Sequence, residues 1–348
     1  MFLSLRDIKH ARGRFALMTG VVGLITLLLV MLSGLTGGLG KQNTSGLEAL
    51  GPERFIFTSE EPSFTESAVT ESDRKAWEKD ADVAPLGVGQ TRLEGETATG
   101  VGVFGVPAGF RIPGTAEPVP GDGVVVSESV ADDAGVAVGS TIDLAGVEQT
   151  VTGIVGDLEY SHSPVVWAST STWQAVTHAP DGTVGTVLMG QGDADWDALA
   201  ERHDDIAATV SESFDGLGAY KSEQGSLLTM QGFLYAISAL VTVAFLTVWT
   251  IQRTRDLSIL RALGASGGYL RRDALGQAAI VVGVGAAAGA LVGWALGALA
   301  AGTVPFELSI TTVLAPALGI WALGMVGAWL ATRHVAQTDP LLALGGNA

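Results

Sequence analysis

The sequence contains no cysteine, so it can form neither a disulfide framework nor a thiolate metal site. Its five histidines do not follow HExxH or any other metal-binding spacing. The segment GGLGKQ at residues 37–42 contains a Gly-Lys pair like that of a phosphate-binding loop. It fails as one, because Leu35 stands where the first glycine belongs and Gln42 replaces the Ser or Thr that holds magnesium. We therefore predict that the chain is not an enzyme by itself and has no metal site of its own.

Positive charge is also scarce, with 19 Lys and Arg against 36 Asp and Glu and a net charge of −17. The imbalance is confined to residues 41–226, which hold 9 basic and 31 acidic residues, whereas the rest of the chain holds 10 basic and 5 acidic ones. Binding to nucleic acid requires a basic face for the phosphates, so this composition argues against nucleic acid as a partner. The charge distribution predicts one acidic soluble domain, at residues 41–226, inserted in a chain that is otherwise mildly basic.

Long apolar runs are abundant, and four of them are long enough to span a lipid bilayer. Between the first and second runs, residues 41–226 contain none of that length. The predicted spans are TM1 at residues 15–40, TM2 at 227–251, TM3 at 274–301 and TM4 at 310–332. The expected fold is therefore an α-helical membrane protein with four transmembrane helices and an extracytoplasmic domain inserted between TM1 and TM2.

The distribution of Lys and Arg predicts the orientation of these spans. Basic residues occur in the amphipathic segment 1–14, cluster after TM2 in residues 252–273 and begin the tail at residues 333–348. The short loop at residues 302–309 carries an acidic residue, Glu307, and no basic one. By the positive-inside rule, both termini are cytoplasmic and the chain is a multi-pass protein of the cell membrane.

The inserted segment is predicted to be an α+β domain of two subdomains, because short β-rich runs alternate with Gly, Pro and Asp turn signals. We expect its central part, residues 107–160, to consist mostly of strands. A helix at residues 70–80 should begin with a capping box formed by Thr70 and Asp73. The other expected helices are at residues 172–178 and 195–204, and the expected strands are at residues 54–58, 83–93, 97–106, 124–127, 140–144, 149–155, 165–168 and 183–189.

TM3 has a glycine at every fourth position along one helix face: Gly285, Gly289, Gly293 and Gly297. Such a face lets a neighbouring helix approach closely, so we interpret it as a packing surface within the bundle rather than a substrate path. The expected partner surface is on TM4, where Gly319 occurs with Gly324 or Gly327.

Residues 252–266, QRTRDLSILRALGAS, predict a short amphipathic helix after TM2. Its apolar face comes from leucines at helical spacing and its charge from arginines: Leu257, Leu260 and Leu263, with Arg253, Arg255 and Arg261. Gly264 is placed to end the helix in a left-handed cap. This helix could lie in the lipid headgroups, or it could dock in a cytoplasmic partner and transmit force to the membrane.

These residues resemble the signature of the FtsX-like, or MacB-type, ABC transporter permeases, in which a coupling helix follows TM2. Three further stretches are similar to that family in the same order along the chain: LRDIKHARGRF at residues 5–15, VVVSESVADDAGVAVGSTIDLAGVEQTVTGIVGD at 124–157 and ATRHVAQTDPLLALGG at 331–346. The sequence has no fused ATPase domain, and its inserted domain is compact. Within the family it therefore looks most like the small haem-exporting permeases of the HrtB type.

The resemblance implies a bacterial homodimer that carries two copies of a separate ABC ATPase, so that the partner binds ATP. The segment 252–273 would then be the coupling helix that receives the movement of the ATPase. TM1 and TM2 would transmit this movement, a process called mechanotransmission, and expel a cargo that the HrtB-type likeness implies is haem. Four spans enclose little volume, so the resemblance favours a substrate site between two protomers in the lipid bilayer.

Haem iron accepts Met, Tyr, His and carboxylate ligands. At the predicted outer ends of TM1 and TM2, six residues could bind haem or lie beside it: Met31, Met230, Tyr235, Phe233, Gln231 and Glu48. Three of them could instead be structural, because Met fills gaps between helices and Tyr anchors helices at the membrane interface.

Alternatives to haem export remain open on this reasoning, among them a sensor that signals antimicrobial peptides, which the compact inserted domain disfavours. The same architecture could export an antimicrobial peptide, drug or lipid, or it could be a non-transporting mechanotransmitter that activates an extracellular hydrolase. A mechanotransmitter is expected to capture a protein partner with its inserted domain and to have no small-molecule pocket between the spans.

Overall fold

The computed structural model describes residues 12–95, 97–252, 259 and 264–333. The chain divides into two compact units: a helical unit made of residues 1–38 and 225–348, and an inserted domain made of residues 39–224. Each unit has its own hydrophobic core. The boundaries of the inserted domain lie about two residues from those expected from charge and hydropathy, 41–226.

Long helices make up most of the described part of the helical unit, and shorter helices cover the inserted domain. In chain order, the described helices are α1 (Arg12–Leu50), α2 (Glu71–Trp77), α3 (Glu128–Ala134), α4 (Thr170–Thr177), α5 (Trp196–His203), α6 (Val210–Ser213), α7 (Gly218–Gln252), α8 (Gly267–Ala300) and α9 (Ile310–Arg333).

Four helices, α1, α7, α8 and α9, are long and apolar enough to cross a membrane. α1 continues beyond the predicted end of TM1 at residue 40 and stops before Gly51, whose φ of 54° is left-handed. α7 likewise begins before the predicted start of TM2 at residue 227. α8 begins where the Ser266 hydroxyl accepts a hydrogen bond from the backbone N–H of Tyr269. Residues 267–273, which we expected in the coupling segment, therefore belong to the third long helix.

Side chains from all four long helices form the core of the helical unit. α7 contributes least. In its most apolar stretch of 18 residues, 17% is buried, against 33 to 39% for the other three helices. The buried core residues are Phe15, Met18, Val22, Ile25 and Leu29 of α1, Leu246 of α7, Ala278, Val281, Val282 and Ala286 of α8, and Ile320 and Ala328 of α9.

The inserted domain is built on β-strands. In chain order, the described strands are β1 (Arg54–Phe57), β2 (Val69–Thr70), β3 (Asp82–Glu94), β4 (Thr99–Val106), β5 (Val124–Ser127), β6 (Thr141–Leu144), β7 (Val147–Val155), β8 (Glu159–Tyr160), β9 (Ser163–Ser169), β10 (Thr183–Gly185), β11 (Val187–Gln191) and β12 (Ile206–Ala208).

Most of these strands form one sheet, in the order β12-β1-β11-β3-β4-β9-β5-β7-β6, with β8 paired to β9. The long strand β3 pairs with β11 through its first half and with β4 through its second half. Near its end, Leu93 of β3 pairs with Leu144 of β6, which closes β3, β4, β9, β5, β7 and β6 into a ring. Closure protects strand edges. The extension of the sheet consists of β11, β1 and β12, and the whole inserted domain forms one compact unit, so the division into two subdomains stays a prediction.

Alternating side chains of the ring fill one core, which the helices α3 and α4 cover. Its buried members are Leu93, Val101, Val103, Val124, Val126, Val130, Ala131, Ala134, Ile142, Leu144, Val151, Val166, Ala168, Trp173 and Val176. On the other side of the sheet, a chain of edge-to-face aromatic contacts joins the ring to the extension. It runs from Trp167 through Phe104, Tyr160 and Phe64 to Phe57, with ring centroids 5.0 to 6.2 Å apart.

Some of the secondary structure expected from the sequence is present in the inserted domain, and some is not. The capping box expected at Thr70 and Asp73 is present at the start of α2. The strand expected at residues 183–189 is wrong as a single element, because β10 pairs with β2 while β11 joins the large sheet. The expectation that residues 107–160 are mostly strands overlooked α3, which Gly135 ends with a left-handed φ of 66°.

Candidate functional site

The first two long helices are joined by polar side chains in the helical unit. The guanidinium Nη1 of Arg14 on α1 donates to Oε1 of Gln252 on α7 at 2.6 Å. Towards the other ends of these segments, Nε2 of Gln231 donates to the Thr36 hydroxyl at 3.0 Å. The pairing is antiparallel, because the residue number falls on α7 as it rises on α1. These two hydrogen bonds between α1 and α7 restrict sliding of one helix along the other.

The candidate substrate residues on α1 and α7 do not converge on one cavity within a single chain. Gln231 is engaged by Thr36, and Met31 is half-buried. Met230 and Phe233 instead point away from the rest of the helical unit, with 54% and 65% of their surfaces exposed. Any site that combines Met230 with Phe233 must therefore be completed from outside the chain.

Two other candidates lie elsewhere. Tyr235 packs against α9, where a Cβ added at Gly319 would lie 3.0 Å from Cε1 of the tyrosine ring. Its position on α7 turns it away from Met230 and Phe233, and its role in a substrate site stays a prediction. Glu48 belongs to the inserted domain, where its carboxylate accepts a hydrogen bond from the Thr44 hydroxyl at 2.7 Å.

The exposed side of α7 is a continuous apolar stripe. Its large residues recur at intervals of three and four, except that the small, exposed Ala244 separates Leu240 from Val248, and this is the spacing of a helix–helix contact. Between 50 and 69% of each side chain is exposed: Met230, Phe233, Ile237, Leu240, Val248 and Ile251. We call these six residues the α7 stripe. Residues 12–95, 97–252, 259 and 264–333 leave this stripe uncovered, so a membrane must supply lipid or another protein helix to cover it.

The glycine face of α8 packs on α1. A Cβ added at Gly289 would lie 2.2 Å from the backbone oxygen of Gly23, and one at Gly285 would lie 2.7 Å from that of Thr19. At Gly293, the nearest atom is a methyl group of Val30, 2.8 Å away. The two backbones therefore approach as closely as glycine permits.

The glycines of α9 are not the partners of this face, contrary to our expectation. A Cβ at Gly319 would meet Tyr235, one at Gly324 would meet Val282, and one at Gly327 would meet Val243. The spacing of the glycines predicts a packing face on α8, but it does not predict which helix packs on that face.

A second glycine surface, at Gly34, Gly37 and Gly38 of α1, was missed in the sequence. It receives the loop between α8 and α9: a Cβ at Gly34 would lie 2.1 Å from the Phe306 ring, and one at Gly38 would lie 2.1 Å from the backbone oxygen of Pro305. The backbone N–H of Glu307 donates to the carbonyl oxygen of Gly34 at 2.9 Å. The available signal was the glycine-rich run itself, which we had considered only as a phosphate loop.

Most of the candidate coupling helix lies outside the described residues: Arg253, Arg255, Leu257, Leu260, Arg261 and Leu263. Gly264 is described, and its φ of 99° lies in the region that favours glycine. This backbone conformation is compatible with the helix end that we expected there.

Comparison with known proteins gives matches along the length of the chain. Residues 15–212 match the MacB-like periplasmic core domain, and residues 229–340 match the FtsX-like permease C-terminal family. Hemin transport system permease proteins named HrtB, from Staphylococcus epidermidis and Staphylococcus haemolyticus, are 24% and 25% identical to it, each over 99% of both chains.

A more distant relative, from Mycobacterium bovis, is described as an uncharacterized ABC transporter permease and is 22% identical over 99% of both chains. Among solved structures, the periplasmic region of MacB from Actinobacillus actinomycetemcomitans matches 49% of this chain and 95% of that one, with 14% identity and a TM-score of 0.37.

Proposed function

Because the chain belongs to the ABC transporter permeases with an FtsX-like C-terminal part and a MacB-like periplasmic core domain, we propose that it drives haem out of a bacterial cytoplasmic membrane with a separate ATPase. The observation that carries the cargo assignment is the full-length similarity to permeases named for hemin transport. Both termini face the cytoplasm, and the inserted domain lies on the opposite side of the membrane, in agreement with the positive-inside rule.

The proposed energy input is the coupling helix that follows α7. ATP binding closes the two ATPase subunits, and each coupling helix moves with the ATPase on which it docks. α7 transmits this movement along its length. The hydrogen bonds from Arg14 to Gln252 and from Gln231 to Thr36 couple α1 to α7, so that α1 moves with it. The two helices then act as a stiff pair, which is the requirement for mechanotransmission.

The proposed assembly is a homodimer with one ATPase on each chain. The α7 stripe supports this assembly, because α7 is the long helix with the smallest buried share and its exposed residues follow the spacing of a helix pair. Two copies of the stripe facing each other would place Met230 and Phe233 of both chains around one axis.

The proposed haem site lies between these two copies. Haem is flat and amphipathic and enters such a gap from the lipid. Its iron takes thioether sulfur as a ligand, and its porphyrin plane stacks on aromatic rings. Met230 and Phe233 supply these groups on the α7 stripe, with Met31 and Gln231 beside them. The proposed haem site does not include Tyr235, because its ring packs against Gly319 of α9.

The haem assignment is tested by the absorption spectrum of purified protein mixed with hemin. The double variant Met31→Ala and Met230→Ala should lose most of the Soret shift that wild type shows on hemin binding. Met325→Ala is the matched control, because Met325 is a half-buried methionine of α9 outside the proposed site, and it should bind as wild type does. An unchanged spectrum and unchanged haem tolerance in the double variant would contradict the proposed site.

A further inference from the structure

A tight turn of the inserted domain is hydrogen-bonded to the backbone of α1. The turn joins β8 to β9, and both of its central residues, Ser161 and His162, have left-handed φ values, 47° and 60°. The backbone N–H of Ser161 donates to the carbonyl oxygen of Asn43 at 3.2 Å, and that of His162 donates to the carbonyl oxygen of Gln42 at 2.9 Å. These two amides therefore report directly whether the turn is docked on the helix.

The ring of His162 also reaches α7. Its Nε2 lies 3.0 Å from both carboxylate oxygens of Glu223. The Glu223 carboxylate also accepts a hydrogen bond from Nδ2 of Asn43 at 3.1 Å, and the second hydrogen of that amide goes to the carbonyl oxygen of Leu39 at 3.0 Å. Asn43 Nδ2 lies 3.0 Å from His162 Nε2 as well, but its hydrogens are already committed. The ring nitrogen thus faces a carboxylate, to which it donates when it carries a proton.

The other ring nitrogen faces an acceptor too. Nδ1 of His162 lies 3.4 Å from Oε1 of Gln42. The oxygen end of the Gln42 amide is thus turned to the ring, and an interaction of the same amide with the Glu159 carboxyl lowers the pKa of that carboxyl. A neutral imidazole has one N–H, whereas the protonated ring has two. Only the charged ring donates to both Glu223 and Gln42.

We propose that this cluster is a proton-dependent latch, in which protonated His162 holds the β8–β9 turn against both α1 and α7. The charged groups around the ring are Glu223 from α7 and Glu159 from β8, while α1 presents the uncharged Gln42 and Asn43 to it. The ring is 32% exposed and the Glu223 side chain 39% exposed, so protons exchange with the surrounding solution. Imidazole changes its charge between about pH 5 and 8, so the latch closes as the solution becomes acidic and loosens as it becomes alkaline.

Glu159 supports the charge balance of this cluster. Burial raises the pKa of its carboxyl above the ordinary range, the neighbouring Asp157 raises it further, and positive charge on His162 lowers it. Protonation of the ring therefore favours the ionised form of Glu159, which in turn keeps Gln42 oriented towards the ring.

The latch would give the inserted domain control over the two helices that the proposed export cycle moves. Its existence does not depend on the cargo or on the ATPase, because every group in it belongs to residues 39–224 of one chain. Failure of the latch would leave the haem proposal intact, and failure of haem binding would leave the latch intact.

Hydrogen–deuterium exchange on the full-length protein in lipid nanodiscs tests the latch. After correction for the intrinsic effect of pH on exchange, we expect the amides of Ser161 and His162 to be about tenfold better protected at pH 5.5 than at pH 8.0, since hydrogen bonds to charged groups are stronger than neutral ones. In His162→Gln this difference should disappear. His178→Gln is the matched control, because His178 is an exposed histidine with a similar left-handed φ of 52°, and it should behave as wild type.

A second variant separates the latch from a general loss of structure. Glu223→Gln keeps an acceptor oxygen for Asn43 but removes the charge that faces the ring, so the turn should remain docked with protection that depends less on pH than in wild type. Equal pH dependence in wild type, His162→Gln and Glu223→Gln would overturn the proposal, as would equal protection of wild type at the two pH values.

Discussion

Single glycines determine how closely α1 approaches α8. The nearest atom to a Cβ at Gly289 would be a backbone oxygen of Gly23, which cannot rotate away as a flexible side chain can. A methyl group at that point must push the helices apart or bend them, and both responses cost packing energy. The same helix has glycines with open space around them, so the contribution of contact can be separated from that of helix propensity.

We expect Gly289→Ala to destabilise the helical unit by about 1 to 3 kcal/mol, the usual cost of overpacking. Gly276→Ala is the control on the same helix, because a Cβ there would meet no atom within 4 Å. It should be neutral or stabilising by about 0.5 to 1 kcal/mol, since alanine favours helix more than glycine does. Unfolding of both variants in detergent, followed by circular dichroism, measures the difference, and equal effects would contradict the close approach.

At the scale of single residues, a contact can be predicted from the sequence when its partners are close together along the chain. A contact between residues far apart along the chain cannot. The capping box of Thr70 and Asp73 was predictable because its partners are three residues apart. The groove at Gly34 was not, because its occupant, Phe306, lies far along the chain. The latch at His162 was missed for the same reason, since its partners come from three separate elements.

At the scale of elements, α7 is the one of the four long helices that the described part of its own chain covers least. The α7 stripe accounts for this, because the exposed residues are large, apolar and regularly spaced. In a monomer this stripe would face lipid, whereas in the proposed homodimer it faces its symmetry mate.

The absence of cysteine makes this contact directly measurable, because any introduced thiol is the only one in the chain. We expect Ile237→Cys or Leu240→Cys to give a disulfide-linked dimer when membranes are oxidised, as seen on a non-reducing gel. Leu291→Cys on α8 is the matched control, with 68% exposure against 69% for Leu240, and should remain monomeric. Monomers from both α7 variants, or equal cross-linking of the control, would place the dimer contact elsewhere.

Element boundaries were harder to predict than element types. α1 and α7 run beyond the apolar segments, because the polar residues next to each span contain no helix-breaking proline. The strand expected at residues 183–189 is divided because its two halves pair with different strands, a choice that only the tertiary fold makes. The helix α3 was hidden in a β-rich region, although Ser127 and Gly135 mark its ends.

At the scale of the whole molecule, hydropathy and charge predicted the architecture. Four apolar runs and one acidic insertion led to the four long helices and the inserted domain, because only a continuous helix satisfies its own backbone in lipid. The closed ring of strands could not be foreseen, since it depends on the register of β3 with three partners. The proposed substrate site could not be read from one chain either, since Met230 and Phe233 are exposed and the proposal needs a second surface to complete the site.

The measurement that tests the central claim is ATP-driven haem release from proteoliposomes that contain this chain and its ATPase. Hemin is loaded into the lipid, and its transfer to a haem-binding acceptor protein in solution is followed by absorbance. We predict that ATP accelerates this transfer with wild type and not with Leu260→Asp, which places a charge on the predicted apolar face of the proposed coupling helix. Transfer at the same rate with and without ATP, or normal ATP-driven transfer by Leu260→Asp with the ATPase bound, would contradict the account.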